Sequence, residues 1–483
     1  MDLLILRWQQ VKNSKQRNMK QKTHLSIFLV VFLVFGNTAY AQQTVAQKTD
    51  KMLQALLHSA NLPGISVAIS HKGKLRYARA FGDADIKRQE KLTPEHSIRT
   101  ASVAKVLTAT ALGKLATDGK IDFDVPISQY ISYINPMYAN LTIRQLAAHV
   151  SGMPHRPSGN FYKKQNFTEI RPTVELVNSP LNFTPGSQYQ YSTHAFNLLA
   201  AVIEGVTGSP YSQWMETNFF TPLAMHHTAP EDLNKLTSSD ATGYYLHKGK
   251  LKPEKVTSAS YKLAGAGFRS TPSDLVKLTD AFTNGMLSDE VTRQMTLSNK
   301  LTNGTHTQVG IGWRISYDFA GRRTIEHAGS WRGARTVVVY YPEEQLAVAI
   351  MINATCQIFI EETAHLIASS FLSSDNHVSS DQNITQKVSV SINSNSGPQQ
   401  KEGVFTWQEG SGQLDVADDT FIRSGEVFPV GNSEGYALVT TYGLMYLDLS
   451  YSKEISGKVY LYDTRNEEPP TKRPPFISIT QSN

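Results

Sequence analysis

One cysteine, Cys356, stands in a chain of 483 residues, so no intrachain disulfide can form. It follows the apolar run 346–352 and reads as a small packed residue, not a nucleophile. No His-Glu-x-x-His, paired Cys-x-x-Cys or phosphate-binding loop occurs, so neither a metal nor a cofactor is expected. His226 and His227 are sequence neighbours whose side chains diverge, a poor arrangement for two ligands of one ion. Excess charge is missing from most of the chain as well. Residues 1–41 hold Arg7, Lys12, Lys15, Arg17, Lys20 and Lys22 against Asp2, which is +5 of the formal net charge of +6. The near-neutral remainder offers no phosphate-binding surface, so no nucleic-acid partner is expected despite a pI near 9.0. Long apolar runs are scarce too. The run 25–35 is eleven residues, too short to span a bilayer, and predicts no stable membrane anchor.

That run has a different meaning. Lys20 and Lys22 precede it, and Ala39-Tyr40-Ala41 follows it. A basic start, a short apolar centre and an A-x-A site predict a secretory signal peptide over 1–41, a mature start at Gln42 and a periplasmic or secreted protein. Met19 stands where such a peptide would normally begin, so the true start is expected there.

The remaining length is enough for a large core. A helix is predicted over 45–57, then strands over 65–70 and 75–81 joined by Lys72-Gly73-Lys74. A buried helix runs from Ser102 to Asp118-Gly119, and a second apolar helix covers 194–206 and ends at Gly208. Strands return at 310–315, 323–327, 335–341 and 346–353, and a helix over 358–371 closes the unit. The expectation is an α/β (α+β) domain over 42–374, an antiparallel sheet flanked by helices with a helical insert. Residues 375–400 are rich in Ser, Asn, Gln and Asp and are predicted to be a linker. Beyond it, strands at 403–407, 421–430, 436–441, 444–450 and 458–462 predict a small all-β domain over 401–483. A linker of that length implies a catalytic domain able to fold and work alone.

Within the first buried helix, Ser102-Val103-Ala104-Lys105 places serine and lysine three apart, on one face. Burial favours a neutral amine, which is a proton acceptor, and a helix start favours developing negative charge. The same four residues also fit a serine N-cap followed by a snorkelling lysine. Tyr191-Ser192-Thr193 lies at the entrance to the second helix. There Tyr191 can relay a proton, or simply pack while Ser192 or Thr193 caps the helix. His327-Ala328-Gly329 ends a strand before Ser330, where Gly329 allows close backbone approach and the next N–H can face an oxyanion.

Taken in order, S-x-x-K, Y-S-T and H-A-G make the chain resemble the serine β-lactamase and penicillin-binding protein superfamily, in its class C, esterase and D-peptidase branch. Segments 62–68, 119–124, 141–146, 149–153, 184–187 and 265–268 fit the same pattern, so the resemblance covers about 45–372. The Tyr-Ser-Thr and His-Ala-Gly variants look most like serine β-lactamase-like proteins related to the mitochondrial member. The resemblance implies Ser102 as acyl-accepting nucleophile and the pair Lys105 and Tyr191 as base and proton carrier. It implies His327 as electrostatic support and the N–H groups of Ser102 and Ser330 as oxyanion hole. Thr193 stands where the family has an asparagine that contacts an acylamido group, and His-Ala-Gly stands where it has Lys-Thr-Gly. Both departures argue against efficient penicillin hydrolysis, with Arg332 or Arg335 as replacement carboxylate anchors. The expected partner is a small-molecule or peptide substrate, with the oligomeric state open. A protein of another class, a slow binding or self-assembling relative, would keep the fold without the turnover.

Overall fold

The computed structural model describes residues 45–155, 166–176, 178–255, 257–372, 383–394, 397–408, 411–416, 421–431, 435–451, 455–460, 462–463, 471–472 and 477–481. The expected signal peptide over 1–41, the start at Met19 and the first part of the expected linker lie outside these residues.

The first described element is a helix over 45–59, after which the chain enters a seven-stranded antiparallel sheet. Its strands are β1 (Gly64–His71), β2 (Lys74–Asp85), β3 (Glu90–Lys91), β4 (Arg314–Tyr317), β5 (Arg323–Trp331), β6 (Ala334–Tyr341) and β7 (Leu346–Ile352). The spatial order is β3-β2-β1-β7-β6-β5-β4, so the two ends of the domain meet where β1 pairs with β7, Ile65 opposite Ile352. Lys72 (φ 52°) and Gly73 (φ 68°) supply the two left-handed residues that a tight hairpin between β1 and β2 requires. Every residue of β7 is buried. Its apolar run does not alternate because both faces are covered, one by α3 (Ile360–Leu372) and one by the short helix Pro272–Lys277.

Between β3 and β4 lies the helical insert. Its centre is α1 (Ala104–Thr117), in which only Lys114, Ala116 and Thr117 escape burial. The polar residues inside it are all engaged. Thr108 Oγ1 bonds to the Tyr211 hydroxyl (2.7 Å) and the Ala264 carbonyl (2.8 Å), and Trp313 Nε1 donates to Thr110 Oγ1 (3.1 Å). The helix stops where Gly119 takes φ 70°. Contrary to the expected helix start at Ser102, that residue lies in a 3₁₀ turn (Ala101–Val103) that leads into α1. The second helix, α2 (Ala195–Thr207), ends at Gly208 in the left-handed region. The strand expected from 310 begins only at Arg314. Gly312 (φ 77°) turns the chain so that Val309 bridges to Arg314, and its Cα packs against Ala109 of α1.

The C-terminal region is a closed eight-stranded antiparallel barrel. Its strands are β8 (Ile384–Ser394), β9 (Gly397–Gln408), β10 (Ser411–Val416), β11 (Glu426–Pro429), β12 (Gly435–Thr440), β13 (Gly443–Tyr451), β14 (Ile455–Tyr460) and β15 (Ile477–Gln481). Closure is made by β15, which pairs with both β8 and β14. This corrects the linker, because 384–394 is a full barrel strand. Val388, Val390 and Ile392 point into the barrel core with Phe405, Trp407 and Leu447, while serines and lysine take the other face. Composition read as a linker what period two reads as a half-buried strand.

The barrel also docks on the first region. The Phe359 N–H donates to the Tyr442 carbonyl (2.7 Å), and the Leu444 N–H donates to Thr363 Oγ1 (3.1 Å). Phe319 stacks on Tyr446 with ring centroids 4.8 Å apart. Residues 52–483 accordingly form one compact unit, not two tethered ones.

Candidate active site

The serine turn is held in an uncommon conformation. Ala101, immediately before Ser102, has φ 44° without being glycine. Such a residue costs about 1 kcal/mol and persists only where neighbours fix it. Here the Thr100 N–H and Oγ1 both bond to the Phe268 carbonyl (2.9 and 3.0 Å), and Thr336 Oγ1 on β6 donates to the Thr100 carbonyl (2.7 Å). Ser102 is left half-buried, facing a cavity of about 520 Å³.

Lys105, on the first turn of α1, is completely buried. Its Nζ lies 3.4 Å from Ser102 Oγ and donates to the Gly265 carbonyl at 2.8 Å. Burial, then the positive charge of Arg314, holds its pKa well below the ordinary lysine range. The snorkelling alternative is excluded by that burial. Nζ also sits 4.8 Å from the centre of the Tyr191 ring. Burial raises the pKa of the Tyr191 hydroxyl, against the opposing pull of the Ser102 hydroxyl, Arg314 and Thr193. Serine, amine and phenol thus share one small volume. An amine that is neutral, a hydroxyl 3.4 Å from it and a phenol lining the same cavity can pass a proton in either direction.

A sequence model for the β-lactamase family matches residues 49–364. The chain belongs to the β-lactamase family. It is 28% identical over 310 residues to the human mitochondrial serine β-lactamase-like protein LACTB, covering 50% of this chain and 56% of that one. It is 23% identical over 328 residues to protein flp of Staphylococcus aureus strain N315, covering 66% of this chain and 65% of that one. The chain therefore spans less than two thirds of either relative. In fold it resembles the octameric penicillin-binding protein homologue from Pyrococcus abyssi, at a TM-score of 0.57 and 20% identity, over 90% of this chain and 99% of that one.

The other residues that the family resemblance implied depart from simple expectation. His327 on β5 is 1% exposed, with its ring 6.3 Å from that of Tyr191. Its Nδ1 is 2.7 Å from the Ala328 carbonyl, so Nδ1 carries the hydrogen and Nε2 is left as acceptor. Burial first, then Arg314 and Lys105, hold its pKa well below the usual imidazole value. His327 is therefore neutral and does not replace the ammonium of Lys-Thr-Gly.

The positive charge comes instead from Arg314, which sequence reasoning missed. Its guanidinium carbon is 5.9 Å from the Tyr191 ring centre, and its Nη1 lies 4.0 Å from Glu361 Oε1. Glu361 Oε2 also pairs with Arg335 (3.2 Å). Arg335 donates further to the Ile358 carbonyl (3.1 and 3.2 Å) and the Gly329 carbonyl (3.4 Å), so it is a structural clamp more than a spare anchor. Arg332 is exposed at the cavity.

Gly329 has a sharper reason to be glycine than substrate approach. A Cβ there would collide with Thr336 Oγ1, and would lie 2.5 Å from the Thr100 carbonyl and 2.9 Å from the Ser102 N. The strand can touch the serine turn only without a side chain, which brings Ser330 and Ser102 to the same cavity. Thr193 lines that cavity, with its N–H donating to His155 Nδ1 (3.3 Å). Ser192 Oγ accepts the Ala195 N–H (3.2 Å), the first amide of α2, whose N-cap residue is His194, while Tyr191 and Ser102 line the same cavity.

A second missed residue is His149. Its ring is 4.4 Å from that of Tyr191, and its Nδ1 accepts the Ser192 N–H (3.2 Å). Its own φ is 61°, a second strained residue beside the site. Burial, then Lys105, Arg314 and His155, keep it neutral. It sits in the segment 149–153 that carried the family resemblance, where the strain was invisible. Among the described residues, no group of three or more His, Cys, Asp or Glu side chains gathers to hold a metal. Among them, no helix is long and apolar enough to cross a membrane.

Proposed function

We propose that this protein is an exported serine hydrolase that cleaves amide or ester bonds of a small-molecule or peptide substrate through an acyl-enzyme on Ser102. The observation that carries the proposal is the buried Lys105 amine 3.4 Å from the Ser102 hydroxyl, with its pKa pushed well down. A neutral amine there accepts the hydroxyl proton as Ser102 Oγ attacks the substrate carbonyl. The N–H groups of Ser102 and Ser330 receive the developing oxyanion. Collapse of the tetrahedral intermediate expels the leaving group, which takes its proton from the Tyr191 hydroxyl, recharged in turn by Lys105. Water then attacks the ester, gives its proton to the same pair, and Ser102 is released. Arg314, Arg335, Arg332 and Lys262 face Glu361 around the cavity, a net positive lining that favours substrates bearing a carboxylate.

Export is supported by the basic segment, the apolar run 25–35 and Ala39-Tyr40-Ala41. N-terminal sequencing of the protein from periplasm or medium is expected to begin at Gln42. An intact 25–35 segment in the membrane fraction would refute it.

The chemical proposal is tested by intact-mass analysis after a fluorophosphonate and, separately, a penicillin. One fluorophosphonate adduct on Ser102 is expected, with little or no penicillin turnover. A folded protein that takes no label, or takes it on another serine, overturns the assignment.

A further inference from the structure

Away from the catalytic residues, bare apolar side chains and lysines meet at an exposed hairpin. Strands Tyr244–His247 and Lys250–Pro253 pair antiparallel, with His247 opposite Lys250 and Leu246 opposite Leu251. The two-residue loop is Lys248 (φ 49°) and Gly249 (φ 74°), both left-handed, as a tight hairpin turn requires. Every residue from Leu246 to Lys250 is exposed. Alternation puts Tyr244 and Leu246 on one face. The base of that face is covered, since Tyr244 is buried and its hydroxyl accepts the Ile86 N–H (2.8 Å) from the turn between β2 and β3. The tip is bare, with Leu246 51% exposed, and Ile86 is 39% exposed. Leu236, 41% exposed, lines a cavity of about 410 Å³ with Arg88 and Gly243, at the base of the hairpin.

The charges around these side chains are one-sided. Lys248, Lys250 and Lys252 on the hairpin and Lys87 next to Ile86 are exposed and carry no ion pair among the described residues. The neighbouring acids are already engaged, Asp85 and Glu90 with Arg88, and Glu254 with Thr355 Oγ1. The chain's modest net charge conceals this local excess. A second copy of the same surface is a poor partner, because the lysines would repel one another. An anionic lipid surface is a good one. Its headgroup phosphates take the ammonium groups while aliphatic side chains enter the boundary with the acyl chains. The long lysine stems let one hairpin tip make both contacts.

We propose that the 244–253 hairpin, with the turn at Ile86, docks the protein on an anionic lipid bilayer without spanning it. The docking surface adjoins the catalytic cavity. Gly243 at the hairpin base packs backbone to backbone on Gly333, and Arg332 lines both that cavity and the one that holds Ser102. The reaction proposed for Ser102 is thereby placed beside the headgroups, but the docking does not depend on it. Loss of turnover in wild-type protein would overturn the hydrolase reading and leave the lipid contact to be read by binding alone.

Co-sedimentation tests it, using the chain from Gln42, which holds every described residue, and vesicles of phosphatidylcholine alone or with an equal part of phosphatidylglycerol. Binding only to the anionic vesicles is expected, weakening as salt rises from about 0.05 to about 0.5 M. A lysine at such a surface is worth about fivefold, so Lys248→Gln, Lys250→Gln and Lys252→Gln together should weaken partitioning about a hundredfold. Leu246→Ser alone should weaken it about tenfold. Both variants change only exposed side chains, so they should melt with wild type. If the chain from Gln42 does not fold, the same variants are compared in full-length protein, where residues 1–41 are common to all. Equal binding to both kinds of vesicle, or binding that survives the triple variant, overturns the proposal. So does a Leu246→Ser protein that binds vesicles like wild type, or wild type that is captured by soluble polyphosphate and not by vesicles; either marks a general polyanion surface.

Discussion

Replacing Lys105 by methionine tests the central claim, that this amine is neutral in the folded protein. Methionine is close in length and apolar, so the helix core keeps its volume. Two terms then compete. The Gly265 carbonyl, which now accepts from Nζ at 2.8 Å, loses its donor, at a cost of roughly 1–3 kcal/mol. Against that, the variant no longer strips a proton from a group that is charged when unfolded. The second term depends on pH and the first does not.

The sign follows from proton counts. The unfolded chain holds the Lys105 proton up to about pH 10.4, and the folded chain gives it up well below that, because the site is fully buried and faces Arg314. The unfolded state then binds the extra proton, so this residue makes wild-type stability rise with pH. Between the depressed folded value and about 10.4, the stability of wild type relative to Lys105→Met should rise by about 1.4 kcal/mol per pH unit. Other titrating groups occur in both proteins and cancel in the difference. Urea unfolding of both at pH 8.0, 8.75 and 9.5 gives the slope directly, and activity on a simple ester should fall about 10²–10⁴-fold in the variant. A difference that stays flat over that range would mean that Lys105 is charged when folded. An ammonium cannot take the serine proton, and the mechanism would fall with it.

Ser102→Ala should abolish fluorophosphonate labelling while keeping the melting temperature within about 3 °C, since the half-buried hydroxyl supplies little packing. His327→Ala should cost less activity than Lys105→Ala because the imidazole is neutral and bonded to Ala328; the reverse order in ester kinetics would indicate a serine–histidine mechanism. The pair His365–Glu326 (2.8 Å) links α3 to β5. Burial opposes charging of His365, but the charge of Glu326, the bond to it and the charges of Glu362 and Asp318 raise its pKa to about 9. Its stabilisation is complete below about pH 6.5 and lost as pH rises through about 9; melting from pH 6 to 10 should show that loss in wild type and not in His365→Gln. Gly443 has φ 122°, and a Cβ there would stand 2.7 Å from Thr363 Oγ1 on α3. Gly443→Ala should therefore loosen the barrel from the helix that carries Glu361 and raise KM, and an unchanged KM would show that the barrel contact does not reach the site. A chain ending at 374 uncovers Phe319 and Phe359, so it should melt lower or aggregate; a fragment as stable as the full chain would restore the view of two independent domains.

How much of this was legible depends on whether a residue's role is set by its neighbours in sequence or in space. The buried helix after Ser102 was legible, because an apolar run with no polar face can only be a core helix, and Lys105 inside it had to be explained. The same holds for α2 with Gly208, and for the hairpin at Lys72-Gly73. The barrel strand β8 was in principle legible from Val388, Val390 and Ile392 at period two, but its outward serines outweighed them in composition. Arg314 was not legible. Its position follows from the turn at Gly312, whose Cα must pass α1 at Ala109, and nothing near Arg314 in sequence reports that contact. His149 was hidden for a similar reason, since its value lies in a strained φ and in one bond to the Ser192 amide. Both residues act on Tyr191 from other segments, one by charge and one by packing. In the proposed mechanism the three motif residues supply the reacting atoms, and residues outside the motifs set their protonation and place. Substitutions at Arg314 and His149 should accordingly shift pH profiles and KM in a chain whose Ser102, Lys105 and Tyr191 are all intact. A motif match alone would leave such losses of activity unexplained.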